Sequence, residues 1–218
     1  VNFQVYGNME PQKAATEAVR ETEGQILCQN GEAVEAYYFS TSAGVTSTDE
    51  IWGSDEAAPY LRSVPCKFDE EEPWSSWIVE LPWKMLEDRI REKGEGTVLR
   101  SVTVTRRSES GAATALEAVS DKDSCIIENE YEIRKFLAPV NCMITEKDGT
   151  ETAGGSLLPS AYFELERTQN GNLQVRGKGY GHGVGMSQTG ADKMAEQGYD
   201  YREILDYFFR NITVENLG

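Results

Sequence analysis

Positive charge is scarce in this 218-residue chain: 21 Lys and Arg stand against 37 Asp and Glu, a formal net charge of −16. Phosphate backbones are gripped by Lys and Arg, so this balance argues against nucleic acid as a partner. It argues equally against an anionic membrane surface. Neutral or cationic ligands, or a solvated acidic surface, fit better. Asp69, followed by Glu70-Glu71-Glu72, reads as part of such a surface loop. Long apolar runs are missing too. No stretch approaches the roughly 20 residues that a spanning helix needs, and no signal-peptide pattern is present. The start at Val1 rather than Met points to a mature or truncated chain, in which that second absence carries no information.

Cysteine is sparse and its spacing is uninformative. Cys28, Cys66, Cys125 and Cys142 form no Cys-x-x-Cys pair, which excludes zinc-finger spacing. An even count in an extracytoplasmic protein permits two disulfides in any of three connectivities. Four buried thiols are the alternative. Histidine is scarcest of all, with His182 alone in the chain. A four-ligand zinc site would need carboxylates or three cysteines beside it. A serine hydrolase is also excluded. There is no Gly-x-Ser-x-Gly elbow, and one histidine would have to serve the whole triad.

What is present gathers around that histidine. Gly179, Gly181, Gly183 and Gly185 alternate with Tyr180, His182 and Val184, and Met186-Ser187-Gln188 follow. Glycine accepts positive φ and lets backbone or ligand come close, at an entropic cost. The pattern is not a dinucleotide fingerprint, because no strand–turn–helix unit with a downstream ribose-binding acid accompanies it. A helix pattern follows, with Ala191, Met194 and Ala195 on one side.

Elsewhere the chain reads as short elements. Pro11 to Glu23 predicts a helix, with Pro11 in its first turn, an apolar face of Ala14, Ala15, Ala18 and Val19, and Gly24 closing it. Gln25–Leu27 and Ala33–Phe39 flank Asn30-Gly31, a β-hairpin with a type I′ turn. Ser40-Thr41-Ser42-Ala43-Gly44 then makes either a polar site or a hydroxyl-rich turn. Trp77, Val79 and Leu81 alternate as a half-buried strand. Lys84 to Lys93 predicts a helix ended by Gly94. Val98, Val102 and Val104 predict a strand that turns at Ser110-Gly111 into Ala115–Val119. Tyr131–Phe136 reads as a short helix or a turn before Pro139. Tyr162–Leu165 and Leu173–Arg176 flank Asn170-Gly171 as a second hairpin. Asp200 with Glu203 predicts a capped helix start, followed by a stripe of Ile204, Leu205, Phe208 and Ile212. Many short antiparallel strands with helices at both ends predict a mixed α+β fold. No repeat or linker divides the chain, so residues 1–218 are expected as one domain.

Gly179-Tyr180-Gly181-His182-Gly183-Val184-Gly185-Met186-Ser187-Gln188-x-Gly190-Ala191 resembles the C-terminal signature of the stage II sporulation protein D / LytB (SpoIID/LytB) family. Ala18-Val19-x-x-Thr22-x-Gly24 and Ala36-Tyr37-Tyr38-x-Ser40-x-Ser42-x-Gly44-x-Thr46 resemble its earlier block. Trp52-Gly53, Pro59 to Val64, Ile133-Arg134 with Leu137, and the opening Gln4-Val5-Tyr6-Gly7 continue the likeness over nearly the whole chain.

The resemblance implies an extracytoplasmic protein of a Gram-positive bacterium, in the cell envelope or secreted, acting on peptidoglycan. Sporulation members resemble lytic transglycosylases that cleave glycan strands lacking stem peptides. LytB-type members are described as enhancers of a wall amidase, which makes other cell-wall hydrolases candidate partners. The catalytic glutamate it implies belongs to a segment upstream of the Gln-Val-Tyr-Gly block, and so is expected upstream of Val1. Glu10 stands before Pro11 in a different context. Family members often carry histidine where Phe39 stands, and some bind zinc nearby; Phe39 cannot ligate a metal, so no zinc and no other cofactor is expected. On this reading Tyr180 and His182 line a glycan cleft, Ser40, Ser42 and Gly44 form the facing wall, and Ser187 and Gln188 donate hydrogen bonds. Ser40, Ser42 and Gln188 read equally well as turn or helix caps. Trp52, Trp74, Trp77 and Trp83 are either sugar platforms or core.

Overall fold

The computed structural model describes residues 10, 12–54 and 56–217. The placement of Pro11 and of Gln4–Gly7 lies outside the described residues. The architecture is α+β, and the chain forms two compact units.

The smaller unit contains helix α1 (Lys13–Glu21) and strands β1 (Gln25–Gln29), β2 (Glu32–Ala33) and β13 (Thr213–Asn216). β1 is central and pairs antiparallel with both neighbours. Asn30 at φ +53° and Gly31 at φ +80° form the expected primed turn, since a type I′ turn needs positive φ at both central positions. The second strand of that hairpin stops at Ala33, however, and does not run on to Phe39. The apolar face expected on α1 also buries nothing: no residue of the helix is buried, and Val19 is 69% exposed. Three alanines and one valine present too little apolar area to anchor a helix by burial.

The larger unit is Ala36–Asn211. Its main sheet is antiparallel, in the order β10 (Phe163–Arg167), β11 (Leu173–Gly177), β4 (Trp77–Leu81), β8 (Met143–Glu146), β9 (Glu151–Ala153). The alternation in β4 sends Trp77, Val79 and Leu81 inward and leaves Ile78 and Glu80 exposed. A second sheet runs β5 (Leu99–Arg107), β6 (Ala113–Ser120), β7 (Ser124–Glu128), all antiparallel. Helices α2 (Trp83–Glu92) and α3 (Glu130–Phe136) complete the core, in which Val79, Leu81, Leu86, Ile90, Leu116, Ile133, Leu137 and Val175 cluster.

Two strand residues at β3 (Tyr38–Phe39) pair in parallel with two at β12 (Met186–Ser187). Helices α4 (Gln188–Glu196) and α5 (Tyr201–Phe208) follow. The capping box forms as expected, Asp200 accepting from Glu203 N while the Glu203 carboxylate accepts from Asp200 N. Of the predicted stripe, Ile204 and Phe208 are buried, but the helix ends at Phe208 and Ile212 lies outside it, just past Asn211 at φ +55°. The four cysteines are free thiols, Cys28 and Cys66 buried and Cys125 and Cys142 half-buried.

Candidate functional site

The glycine-histidine segment is a ribbon pressed against residues 37–47. Tyr180 exchanges both backbone hydrogen bonds with Thr41, its N–H to Thr41 O at 2.8 Å and Thr41 N–H to Tyr180 O at 3.1 Å. Ser47 N donates to Gly183 O at 2.6 Å, and Met186 N to Tyr37 O at 3.0 Å. Gly179, Gly181, Gly183 and Gly185 all take positive φ, between +74° and +114°. The closest approach is at Gly185, where a Cβ would stand 2.1 Å from Tyr37 O. At Gly179 it would meet Thr41 O at 2.8 Å. Left-handed backbone and contact too close for a side chain together leave glycine as the only residue that fits. The ribbon is also pinned from the core, because the Trp77 indole Nε1 donates to Gly179 O at 2.8 Å.

Below the ribbon lies a buried carboxylate. Asp69 is 1% exposed. Its Oδ2 accepts from Ser42 N at 2.8 Å, Ser187 Oγ at 2.6 Å and Thr189 Oγ1 at 3.3 Å. Its Oδ1 accepts from Ser42 Oγ at 2.7 Å and from the Cys66 thiol at 3.6 Å. A buried charge persists only when hydrogen bonds replace its water, and here the donors come from three separate stretches of chain. Burial and the neighbouring carboxylate push the Cys66 thiol up to about 12, so it stays protonated and unreactive.

His182 sits half-buried, edge-on to Phe39 at 5.8 Å and to Trp52 at 5.2 Å between ring centres. Val184 N donates to its Nδ1 at 3.1 Å, which assigns the proton of the neutral ring to Nε2. Burial, with the Arg134 charge adding to it, pushes the imidazole down to about 4, against a backbone hydrogen bond with Tyr38 that raises it. His182 is therefore neutral at pH 7. Arg134 is itself buried. It pairs with Glu130 one helical turn away and donates to Leu158 O at 2.8 Å and Pro159 O at 3.2 Å. Pro159 O also accepts from Gly181 N at 2.8 Å, so the ion pair helps to seat the ribbon.

The expected site residues divide in two. Ser42 and Ser187 converge on Asp69, while Ser40 joins them only through its backbone O, which accepts from Ser187 Oγ at 3.2 Å. Gly44 N donates to Ser42 Oγ at 3.1 Å, and Ser42 and Gly44 line a cavity of about 260 Å³ with Lys178. Tyr180 is 42% exposed and edge-on to Trp74 at 4.6 Å. Gln188 is separate from this group, exposed in the first turn of α4. The helix cap is Ser187, whose Oγ accepts from Gly190 N at 3.2 Å. The tryptophans also separate. Trp77 is core, while Trp83 carries Arg167 at 3.2 Å over its ring and donates to Leu99 O. Trp52 packs on Tyr37 and His182, and Trp74 flanks Tyr180.

The residue that sequence reasoning missed is Asp69, assigned to a solvated acidic loop. Its signal was indirect: Ser40-Thr41-Ser42 and Ser187-x-Thr189 place several hydroxyls where buried donors need an acceptor. Phe39 is buried against His182 and offers no ligand atom.

A ribbon of alternating glycines, laid on a Ser/Thr-rich strand end and locked by one buried carboxylate, defines the class of site. The family described as Domain of unknown function (DUF8618) matches residues 66–185, more than half of the chain. Stage II sporulation protein D of Bacillus amyloliquefaciens is 31% identical over 93% of this chain and 51% of its own length. Stage II sporulation protein D of Bacillus subtilis (strain 168) is 30% identical over the same shares. The amidase enhancer of Bacillus subtilis (strain 168) is 23% identical over 97% of this chain and 34% of its own length. The chain belongs to the DUF8618 family, and its relatives place it among proteins of the SpoIID/LytB type, named for sporulation and for enhancing an amidase. It spans about half the length of the sporulation relatives it matches. Among the described residues, no helix is long and apolar enough to cross a membrane.

Proposed function

We propose that this chain forms the glycan-binding face of a peptidoglycan lytic transglycosylase of the SpoIID type, in the cell envelope or secreted. The observation that carries the reading is the exposed Tyr180, braced edge-on by Trp74 next to the cavity of Ser42 and Gly44. Sugar rings pack on such aromatic surfaces, and backbone and hydroxyl groups beside them bond the sugar's polar edge. His182 acts from behind as a neutral wedge that holds the ribbon's shape.

The reaction needs one carboxylic acid to protonate the glycosidic oxygen. The muramic acid 6-hydroxyl then attacks C1, loses its proton and displaces the leaving sugar as an alcohol, giving a 1,6-anhydro end. This differs from two-carboxylate hydrolysis, in which water is the acceptor. Asp69 cannot be that acid, because it is out of reach and its oxygens are filled by donors. The resemblance to the SpoIID/LytB family implies a glutamate as that acid, and on this reading it belongs to a longer protein that contains this chain. A second reading, a non-catalytic enhancer of a wall amidase, draws on the amidase enhancer's match over 97% of this chain.

Digestion of stem-peptide-free glycan strands, with products read by mass spectrometry, separates the two. The chain is compared with a longer protein that contains it. Anhydro-muramic ends from the longer protein, lost on Tyr180→Ala, support the transglycosylase. No products, with glycan binding retained and amidase activity raised in a mixed assay, supports the enhancer.

A further inference from the structure

Three cavities of the larger unit, about 270, 260 and 410 Å³, meet at one side chain, because Lys178 lines all of them. In a chain of net charge −16, two of the other cations here are answered by carboxylates. Arg107 meets Glu164 at 3.0 Å, and Lys147 meets Glu71 at 2.9 Å. Lys178 is exposed and its ammonium meets no acid among the described residues. Two residues earlier on the same side of the chain, Arg176 has only a 3.9 Å contact with Glu166, both side chains being more than half exposed. Exposed pairs at that distance hold little energy.

The surroundings suit a sugar acid. Arg176 stands in register with Ile78 and Thr145 across the open face of the main sheet, and Ile78 is 38% exposed, offering an apolar floor. In the first cavity Ser110 Oγ is bonded to Ser47 Oγ and Ser108 Oγ, each at 2.9 Å, and to Tyr162 OH at 3.1 Å, a connected set of hydroxyls beside the cations. Three acids line these cavities. Glu164 is held by Arg107, Glu146 is buried against Thr152, and Glu70 is exposed.

We infer that Lys178, supported by Arg176, binds the free lactyl carboxylate of N-acetylmuramic acid and so selects glycan strands that lack stem peptides. This rests on the glycan reading above. A stem peptide converts that carboxylate to an amide, so its removal exposes one negative charge per disaccharide. A strand with free carboxylates is therefore an anionic polymer, and the two cations without strong partners are complementary to it.

The test measures binding of this chain to stem-peptide-free strands, and to the same strands with their carboxyl groups converted to neutral amides. The wild type is expected to bind the acid strands about tenfold more tightly than the amide strands, and to lose that preference at high salt. Lys178→Gln is expected to bind both strands as weakly as the wild type binds the amide form, while Lys178→Arg restores the preference. Equal binding of the two strands by the wild type overturns the inference and leaves the glycan reading standing. So does an equal loss on both strands in Lys178→Gln. Binding of neither strand, by this chain or by a longer protein containing it, overturns both.

Discussion

The main sheet and the glycine ribbon lie in the same unit and are held by different forces. In the sheet, Val79, Leu81 and Val175 face inward because apolar residues alternate along antiparallel strands, and the stabilisation scales with area removed from water. In the ribbon, aromatic packing by Trp52, Trp74 and Trp77 is joined by a dense set of polar bonds. Tyr180, Gly183 and Gly181 are held by main-chain bonds to Thr41, Ser47 and Pro159, and Asp69 gathers five donors beneath. The sheet tolerates exchange of one hydrophobe for another of like volume. The ribbon depends on contacts that have no near substitute.

The largest test of that contrast is Gly185→Ala. A Cβ 2.1 Å from Tyr37 O in left-handed backbone is expected to cost about 4 kcal/mol or more by denaturant unfolding. Gly149→Ala has the same sign of φ and open space, and should lose only about 1 kcal/mol. Comparable losses for both would show that backbone conformation alone matters and close contact does not.

Next come Leu81→Ala and Asp69→Ala, each expected to lose about 3 kcal/mol, the first through a cavity and the second through orphaned donors. A second measurement separates them. Asp69→Ala should also speed alkylation of Cys66, whose thiol is buried beside that carboxylate, and Leu81→Ala should not.

His182 makes the ribbon sensitive to acid. The unfolded imidazole titrates near 6.5 and the folded one near 4. Between those values the unfolded chain takes up a proton that the folded chain refuses, so stability is full above pH 6.5 and falls as pH drops towards 4. The loss is at most about 3 kcal/mol, and His182→Gln should flatten stability across that window. The smallest change is Trp77→Phe, which keeps an aromatic ring in the core but removes the donor to Gly179 O. It should cost about 1 kcal/mol, and more in glycan binding than in melting temperature.

What could be read in the sequence followed the range of the forces. The Asn30-Gly31 turn, the alternation at Trp77–Leu81 and the Asp200–Glu203 box are decided by residues within a few positions of each other, and all formed. The second strand of the first hairpin failed beyond Ala33 because Tyr38 and Phe39 pair with Met186 and Ser187. Asp69 escaped notice for the same reason, four of its five donors lying 27, 118 or 120 positions away. The glycines around His182 did announce a closely approached segment. They could not say that the approach would come from Thr41 and Tyr37, or that His182 would turn inward while Lys178 and Tyr180 face solvent.

The ribbon also decides where inherited variation can act. At positions 177, 179, 181, 183 and 185 an added Cβ would come within 2.0 to 3.0 Å of Trp77, Thr41, Phe39, Tyr162 and Tyr37 respectively. Only the even positions remain open, and of these 178 and 180 reach solvent. A lineage altering what this surface recognises has two adjustable letters here, set in a frame that cannot be edited. A randomised library across 177–185 should therefore return functional clones that differ at 178 and 180 and almost nowhere else.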